Sequence, residues 1–244
     1  MRWPELPPHP ALLLDFDGTL VEIARRPDAV RVPPDLAPIL GRLAVRLSGA
    51  LAIVSGRPLS ELDRHLPIAL AKVGEHGAAM RPRPGGPVRR VPLPPFPARW
   101  RLAASRLAAG RRGAIAEQKP HGLVLHFRQA PSLEPEAKAL LAAFVAERPQ
   151  EFRLQSARRA WEIVPAAVSK GHAVRRLMEQ SPFAGRMPVF IGDDTTDEDA
   201  IAAAIDLGGT GFRVQDSFGS PRTLRSWLAA LAEGRARTAA LAKA

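Results

Sequence analysis

The sequence predicts an α/β architecture: a parallel sheet covered by helices on both faces, with a smaller α+β unit inserted into it. Three observations lead there. Short apolar runs alternate with helical spacing toward both ends of the chain. Two of these runs stop at clusters of aspartate, and strand ends are where open α/β sheets carry their ligands. Between them lies a stretch of different order, α-β-β-α-β-β, introduced by a segment rich in Pro, Arg and Gly. The expectation is a Rossmann-like core built from residues 1–92 and 167–244, with residues 93–166 as the inserted domain.

The elements follow in order. ALLLDF, residues 11–16, is a short apolar run bounded by Pro10 and Gly18, the pattern of a strand buried on both faces. Helical spacing covers 34–48, and a second buried strand, Leu51–Val54, ends at Ser55-Gly56-Arg57. A short helix over 58–65 and a strand over 72–74 come next, and 81–97 reads as a linker or an exposed hairpin. In the insertion a helix over 98–109 precedes strands at 114–118 and 122–128. A helix over 133–147 then precedes strands at 152–156 and 160–164, giving a small sheet with two helices on one face. The chain returns to the core through a helix over 170–180, a strand over 189–191 and an Ala-rich helix over 197–205; a last helix is expected over 229–244.

Composition removes several classes of function. The absence of cysteine excludes disulfide scaffolds, thiolate metal sites and a thiol nucleophile. No apolar run reaches the roughly 18 residues that cross a bilayer, and the N-terminal MRWPELPPHP lacks the form of a signal peptide. A soluble, cytoplasmic, monomeric protein is expected, with no membrane partner. The net charge of +11, from 35 Lys and Arg against 24 Asp and Glu, admits a non-catalytic nucleic-acid-binding protein as an alternative. Its basic residues are dispersed, however, and the chain has no Tyr to stack on bases. The acidic strand ends would also repel a polyanion, so no nucleic-acid partner is expected. The same charge can draw a small anionic substrate toward the protein.

Four pieces carry chemistry. In Asp15-Phe16-Asp17-Gly18, carboxylates two residues apart in an extended chain project to one side while Phe16 turns to the core. One can attack phosphorus and the other can serve as proton donor, although turn-forming Asp and Gly in a plain loop would look similar. The run Asp193-Asp194-Thr195-Thr196-Asp197-Glu198-Asp199 places five carboxylates in seven residues, which repel one another unless a cation or a helix N-terminus compensates. Thr196 could cap the following helix, which accounts for Glu198 and Asp199 but not for Asp193. Asp15 with Asp193 offers the oxygen-only environment that suits Mg²⁺. Ser55 at a strand end and Lys170 at a helix start could orient and neutralise phosphoryl oxygens. Seen singly, a Ser-Gly-Arg turn and a solvated lysine account for those two residues; the order and context of all four pieces are specific.

Together these segments resemble the haloacid-dehalogenase superfamily of phosphatases, and within it the trehalose-6-phosphate phosphatase family. DFDGTL (15–20), SGR (55–57) and GDDTTDED (192–199) mark the sugar-phosphatase branch of the superfamily. GEHGA (74–78), EQKPHGLVLHFR (117–128) and WEIVPAAVSKG (161–171) point to the trehalose branch. The resemblance runs through nearly the whole chain and implies a Mg²⁺-dependent phosphatase with a haloacid-dehalogenase-like core and an inserted cap. Asp15 would be the nucleophile and Asp17 the acid and base, with Ser55 and Lys170 holding phosphoryl oxygens. The metal would be held by Asp15, by the carbonyl of Asp17 and by Asp193, with Asp194 and Asp197 supporting it. Arg57, Glu117, Lys119, His126, Arg128, Arg158 and Glu162 would bind substrate, and the cap would recognise the sugar. Trehalose 6-phosphate is the expected substrate; sucrose phosphate and mannosylglycerate phosphate are the alternatives within the same chemistry.

Overall fold

The computed structural model describes residues 3–24, 26, 29–157 and 159–235. The chain forms two compact units, Met1–Val91 with Ser169–Ala244, and Pro92–Val168.

The first unit opens with β1 (Pro10–Leu14), α1 (Leu36–Arg46), β2 (Leu51–Val54), α2 (Leu59–His65) and β3 (Ala71–Gly74). A short strand β4 (Ala79–Arg81) leads into the segment read as a linker or hairpin, which carries β5 (Arg89–Arg90), paired antiparallel with β4. The second unit comprises α3 (Ala98–Ala109), β6 (Ile115–Lys119), β7 (Gly122–His126), α4 (Glu134–Glu147), β8 (Phe152–Ala157) and β9 (Ala160–Pro165). The chain then completes the first unit with α5 (Lys170–Met178), β10 (Met187–Gly192), α6 (Glu198–Asp206), β11 (Thr210–Arg213), α7 (Val214–Ser217) and α8 (Pro221–Ala232).

The sheet of the first unit runs β11-β10-β1-β2-β3-β4-β5, parallel from β11 through β3 and antiparallel at the β4–β5 edge. Strand parity sorts the contiguous apolar run of β1 into two layers. Leu12 and Leu14 pack with Leu40 and Leu43 of α1 and Trp227 and Leu228 of α8. Ala11 and Leu13 face Val174 and Leu177 of α5 and Ala200 and Ala204 of α6. Strand order reverses at β1, which lies between β2 and β10, so the ends of β1 and β10 adjoin at the point where such sheets form ligand sites.

The fold differs from expectation at β4 and α7, which have no counterpart in the sequence reading, and at β11 and α8. The short strand β11, only partly buried, has no apolar run to announce it. The final helix begins at Pro221 rather than at residue 229, because Ser220 accepts a hydrogen bond from the Thr223 N–H and proline suits the first helical position. The expected continuation over 236–244 lies outside the described residues.

In the second unit the sheet order is β6-β7-β9-β8, antiparallel throughout. Leu123, Leu125, Ile163 and Phe152 form a core with Trp100 of α3 and Leu141 of α4, so both helices cover one face. The opposite face carries the other parity, including Glu117, Lys119, His126, Gln155 and Glu162. No helix among the described residues is long and apolar enough to cross a membrane.

Candidate active site

β1 ends at Leu14, and the Asp15 N–H is fixed by the Ile191 carbonyl of β10 at 2.9 Å. Phe16 is buried in the core, which leaves Asp15 and Asp17 on the polar side of the turn. Gly18 makes that turn with φ +80°, and a Cβ there would lie 2.1 Å from Asp193 Oδ2. Only glycine supplies both the left-handed backbone and the room. Gly18→Ala should therefore displace the Asp193 carboxylate. A shift of about 1 Å at a catalytic group can cost on the order of a hundredfold in rate, which initial-rate phosphatase assays would register.

Lys170 is the first residue of α5, whose cap is Ser169, its side chain accepting from the His172 N–H. The Lys170 ammonium is buried and donates to Asp15 Oδ1 at 2.7 Å and to Asp197 Oδ1 at 2.6 Å. The other oxygen of Asp197 accepts the backbone N–H groups of Asp193 and Asp194, both at 3.1 Å. Thr19 Oγ1 bridges the two strand ends, 3.3 Å from Asp15 Oδ2 and 3.5 Å from Asp193 Oδ1. Burial first, and then the charges of Asp197 and Asp193, push the Asp15 carboxyl well above the usual aspartate range despite Lys170. Burial works against the charge on Lys170, but the carboxylates of Asp15 and Asp197 more than offset it and hold the ammonium above its ordinary value.

Oxygens of Asp15, Asp193 and Asp197 all lie within 4.8 Å of one another. Carboxylates gathered this closely repel one another, and a divalent cation shared among them would offset that repulsion. The donors are all oxygen and converge from two strand ends and a following turn, so the residues fit a hard cation.

Asp194 stands apart from this group. Its carboxylate accepts from the Thr195 N–H at 2.6 Å and from the Thr195 hydroxyl at 2.9 Å. It caps the single 3₁₀ turn Thr195–Asp197 ahead of α6, a task the sequence offered to Thr196.

Ser55 follows β2, is buried, and accepts the Arg57 N–H at 3.1 Å. Arg57 clamps Asp17 through two hydrogen bonds, 2.6 and 2.9 Å, and donates to Glu61 at 2.9 Å. Burial opposes the guanidinium charge, yet Asp17 and Glu61 raise its pKa above the ordinary value. Behind this turn His76 is buried, with Nε2 only 2.6 Å from where a Cβ on Gly56 would sit. Glu75 and His76 both take φ 55°, and their N–H groups bond the Arg57 and Ser55 carbonyls. Consecutive left-handed residues that are not glycine cost strain, and here they brace the Ser55–Arg57 turn.

The second unit gathers most of its expected residues on the face opposite its helices. Lys119 Nζ donates to Glu162 Oε1 at 2.5 Å, Gln155 donates to Glu162 Oε2 at 3.1 Å, and His126 Nε2 lies 2.7 Å from Glu117 Oε2. Burial opposes ionisation of Glu117, but His126 and Lys119 outweigh it and hold its carboxyl below the usual range. Arg128 sits in the turn after β7 rather than on the strand, which ends at His126. Arg158 lies outside the described residues. Sequence reasoning passed over Thr19, Glu61, Arg153 and Gln155. For Gln155 the available signal was parity, since β8 sets it directly opposite Glu162.

A family model for trehalose-phosphatase matches residues 13–215, which takes in both the strand-end carboxylates and the open sheet face. The chain belongs to the trehalose-phosphatase family. Within that family it is 39% identical over 231 residues to trehalose-6-phosphate phosphatase of Escherichia coli K12, covering 92% of this chain and 83% of that one. It is 36% identical over 236 residues to a probable trehalose-phosphate phosphatase of Sinorhizobium fredii, covering 91% and 87%. The C-terminal domain of Candida albicans trehalose-6-phosphate phosphatase shares the fold, with a TM-score of 0.73 at 22% identity over 92% of each chain.

Proposed function

We propose that this protein hydrolyses trehalose 6-phosphate to trehalose and phosphate, the final step of trehalose formation, as a Mg²⁺-dependent monomer in the cytoplasm. The observation that carries the chemistry is the meeting of Asp15, Asp193 and Asp197, two of them held by the Lys170 ammonium, in a chain of this family.

An oxygen of Asp15 attacks phosphorus, and the bond from phosphorus to the sugar oxygen breaks as that oxygen takes the proton of Asp17. Water then attacks the aspartyl phosphate, Asp17 takes up the proton of the water, and the Asp15–phosphorus bond breaks to release phosphate. The Ser55 hydroxyl and the Lys170 ammonium hold phosphoryl oxygens while charge moves between them. Arg57 sets where Asp17 stands before it acts, through the two hydrogen bonds it makes. Asp15, Asp193, Asp197 and the Asp17 carbonyl would hold Mg²⁺, which supplies charge neutralisation at the phosphoryl group when bound. We assign the second unit as the cap: Glu117 and Glu162 accept sugar hydroxyls, Lys119 and His126 complete that face, and Arg57, Arg128 and Arg158 contribute to substrate binding. No nucleic-acid partner is part of this proposal.

Phosphate release from a panel of trehalose 6-phosphate, sucrose phosphate, mannosylglycerate phosphate and glucose 6-phosphate tests the substrate. Trehalose 6-phosphate should give the highest kcat/KM; turnover no faster than that of glucose 6-phosphate removes the assignment.

Metal binding has its own test. At a hundred times its Kd, Mg²⁺ contributes about 2.7 kcal/mol of stability, which for a chain of this size raises Tm by about 5–10 °C. The rise should be seen in wild type, vanish with EDTA and be lost in Asp193→Asn. Equal shifts in wild type and Asp193→Asn would place the cation elsewhere.

A further inference from the structure

Glu162 is buried near the centre of the second unit's open face, and isolated buried carboxylates are costly. One of its oxygens is held by Lys119 and the other by the Gln155 amide. Gln155 is in turn held from behind: its Oε1 accepts Arg153 Nη1 at 2.8 Å, and Arg153 Nη2 donates to the Val168 carbonyl at 3.2 Å. The chemistry of these groups removes the ambiguity of the glutamine amide. Arg153 can only donate, so Gln155 must turn its oxygen toward Arg153 and its NH₂ toward Glu162. Were the amide reversed, its oxygen would face the Glu162 carboxylate and repel it. Strand geometry makes the relay possible: Arg153 and Gln155 share parity on β8, and Gln155 is the direct cross-strand neighbour of Glu162 on β9.

We propose that Gln155, with its amide oriented by Arg153, is the positioning residue that fixes the Glu162 carboxylate for sugar hydroxyls and so sets selectivity for a polyhydroxylated phosphate ester. This rests on the function proposed above and names residues to which that function assigned no role. A carboxylate fixed at both oxygens presents acceptors in one orientation, which favours a substrate whose hydroxyls match and gives nothing to an ester without them. Gln155 acts through Glu162 and need not touch substrate.

The test compares trehalose 6-phosphate with p-nitrophenyl phosphate, which has no sugar. Loss of one hydrogen bond to a charged group is worth about tenfold in binding. Gln155→Met should therefore raise KM for trehalose 6-phosphate about tenfold with little change in kcat, and lower selectivity over p-nitrophenyl phosphate by the same factor. Arg153→Met should act in the same direction by freeing the amide to reverse, and Arg153→Lys, which keeps a donor, should restore part of the selectivity. In Gln155→Met/Glu162→Gln the loss should equal that of Glu162→Gln alone. Selectivity within twofold of wild type in both Gln155→Met and Arg153→Met overturns the proposal, and so do losses that multiply in the double variant. Should Gln155→Met fold poorly, Arg153→Met tests the network from its other end. The wild-type preference for trehalose 6-phosphate over glucose 6-phosphate, measured alongside, tests the substrate assignment separately. If another phosphosugar is preferred, the same cycle is measured on that substrate.

Discussion

Asp15→Asn is expected to reduce turnover by at least about 10⁴-fold, the scale seen when a nucleophilic unit loses a member, while the protein stays folded. The neutral amide has nearly the shape of the carboxyl but cannot attack phosphorus. Stability should move the other way from activity. Burial and the charges of Asp197 and Asp193 raise the Asp15 pKa above its ordinary value of 3.8, so the folded protein binds this proton more tightly than the unfolded chain. The stability Asp15 contributes is thus full below pH 3.8 and is lost as pH rises through the raised native value. Asn mimics the protonated form. In EDTA at pH 7, Asp15→Asn should therefore melt no lower than wild type. A variant that retains turnover, or one that is folded only at acid pH, would contradict this.

Lys170→Met should be damaging on both counts. It removes an ammonium hydrogen-bonded to both Asp15 and Asp197. Breaking a buried ion pair by deleting one partner costs about 3–5 kcal/mol, and loss of a donor to a reacting oxygen costs about a hundred- to a thousandfold in kcat. Charge also dictates the pH dependence. Without the ammonium the Asp15 pKa rises further, so the loss of stability with rising pH becomes larger. Urea unfolding of the metal-free protein should show a greater deficit at pH 7 than at pH 4. An equal deficit at both pH values would mean that Lys170 serves packing rather than charge.

What could be read from sequence followed from how each feature is encoded. The buried parallel strands are written as contiguous apolar runs, and β1 and β2 needed nothing more. Asp15, Asp193 and Lys170 were legible because strand ends and helix starts place side chains predictably in an open α/β sheet. Pairings made by long side chains were not. The Arg57 clamp on Asp17 spans 40 residues, and the partner of a flexible guanidinium is decided by packing rather than by spacing. Asp194 illustrates the other failure: five carboxylates in one segment look interchangeable in sequence, and backbone geometry alone assigns one to a cap and another to the buried cluster. Gln155 was hidden because amides lie within ordinary polar alternation; only the register of β8 on β9 gives it a partner.

The most direct test of the chemistry uses Asp17→Asn with p-nitrophenyl phosphate. That leaving group departs without a proton donor, whereas the later attack by water still needs the missing base, so the covalent intermediate should accumulate. A burst of p-nitrophenolate equal to the enzyme concentration is expected, with phosphate found by mass spectrometry of the acid-quenched protein on the peptide that carries Asp15. Phosphate release with no burst and no phosphorylated Asp15 would contradict the mechanism.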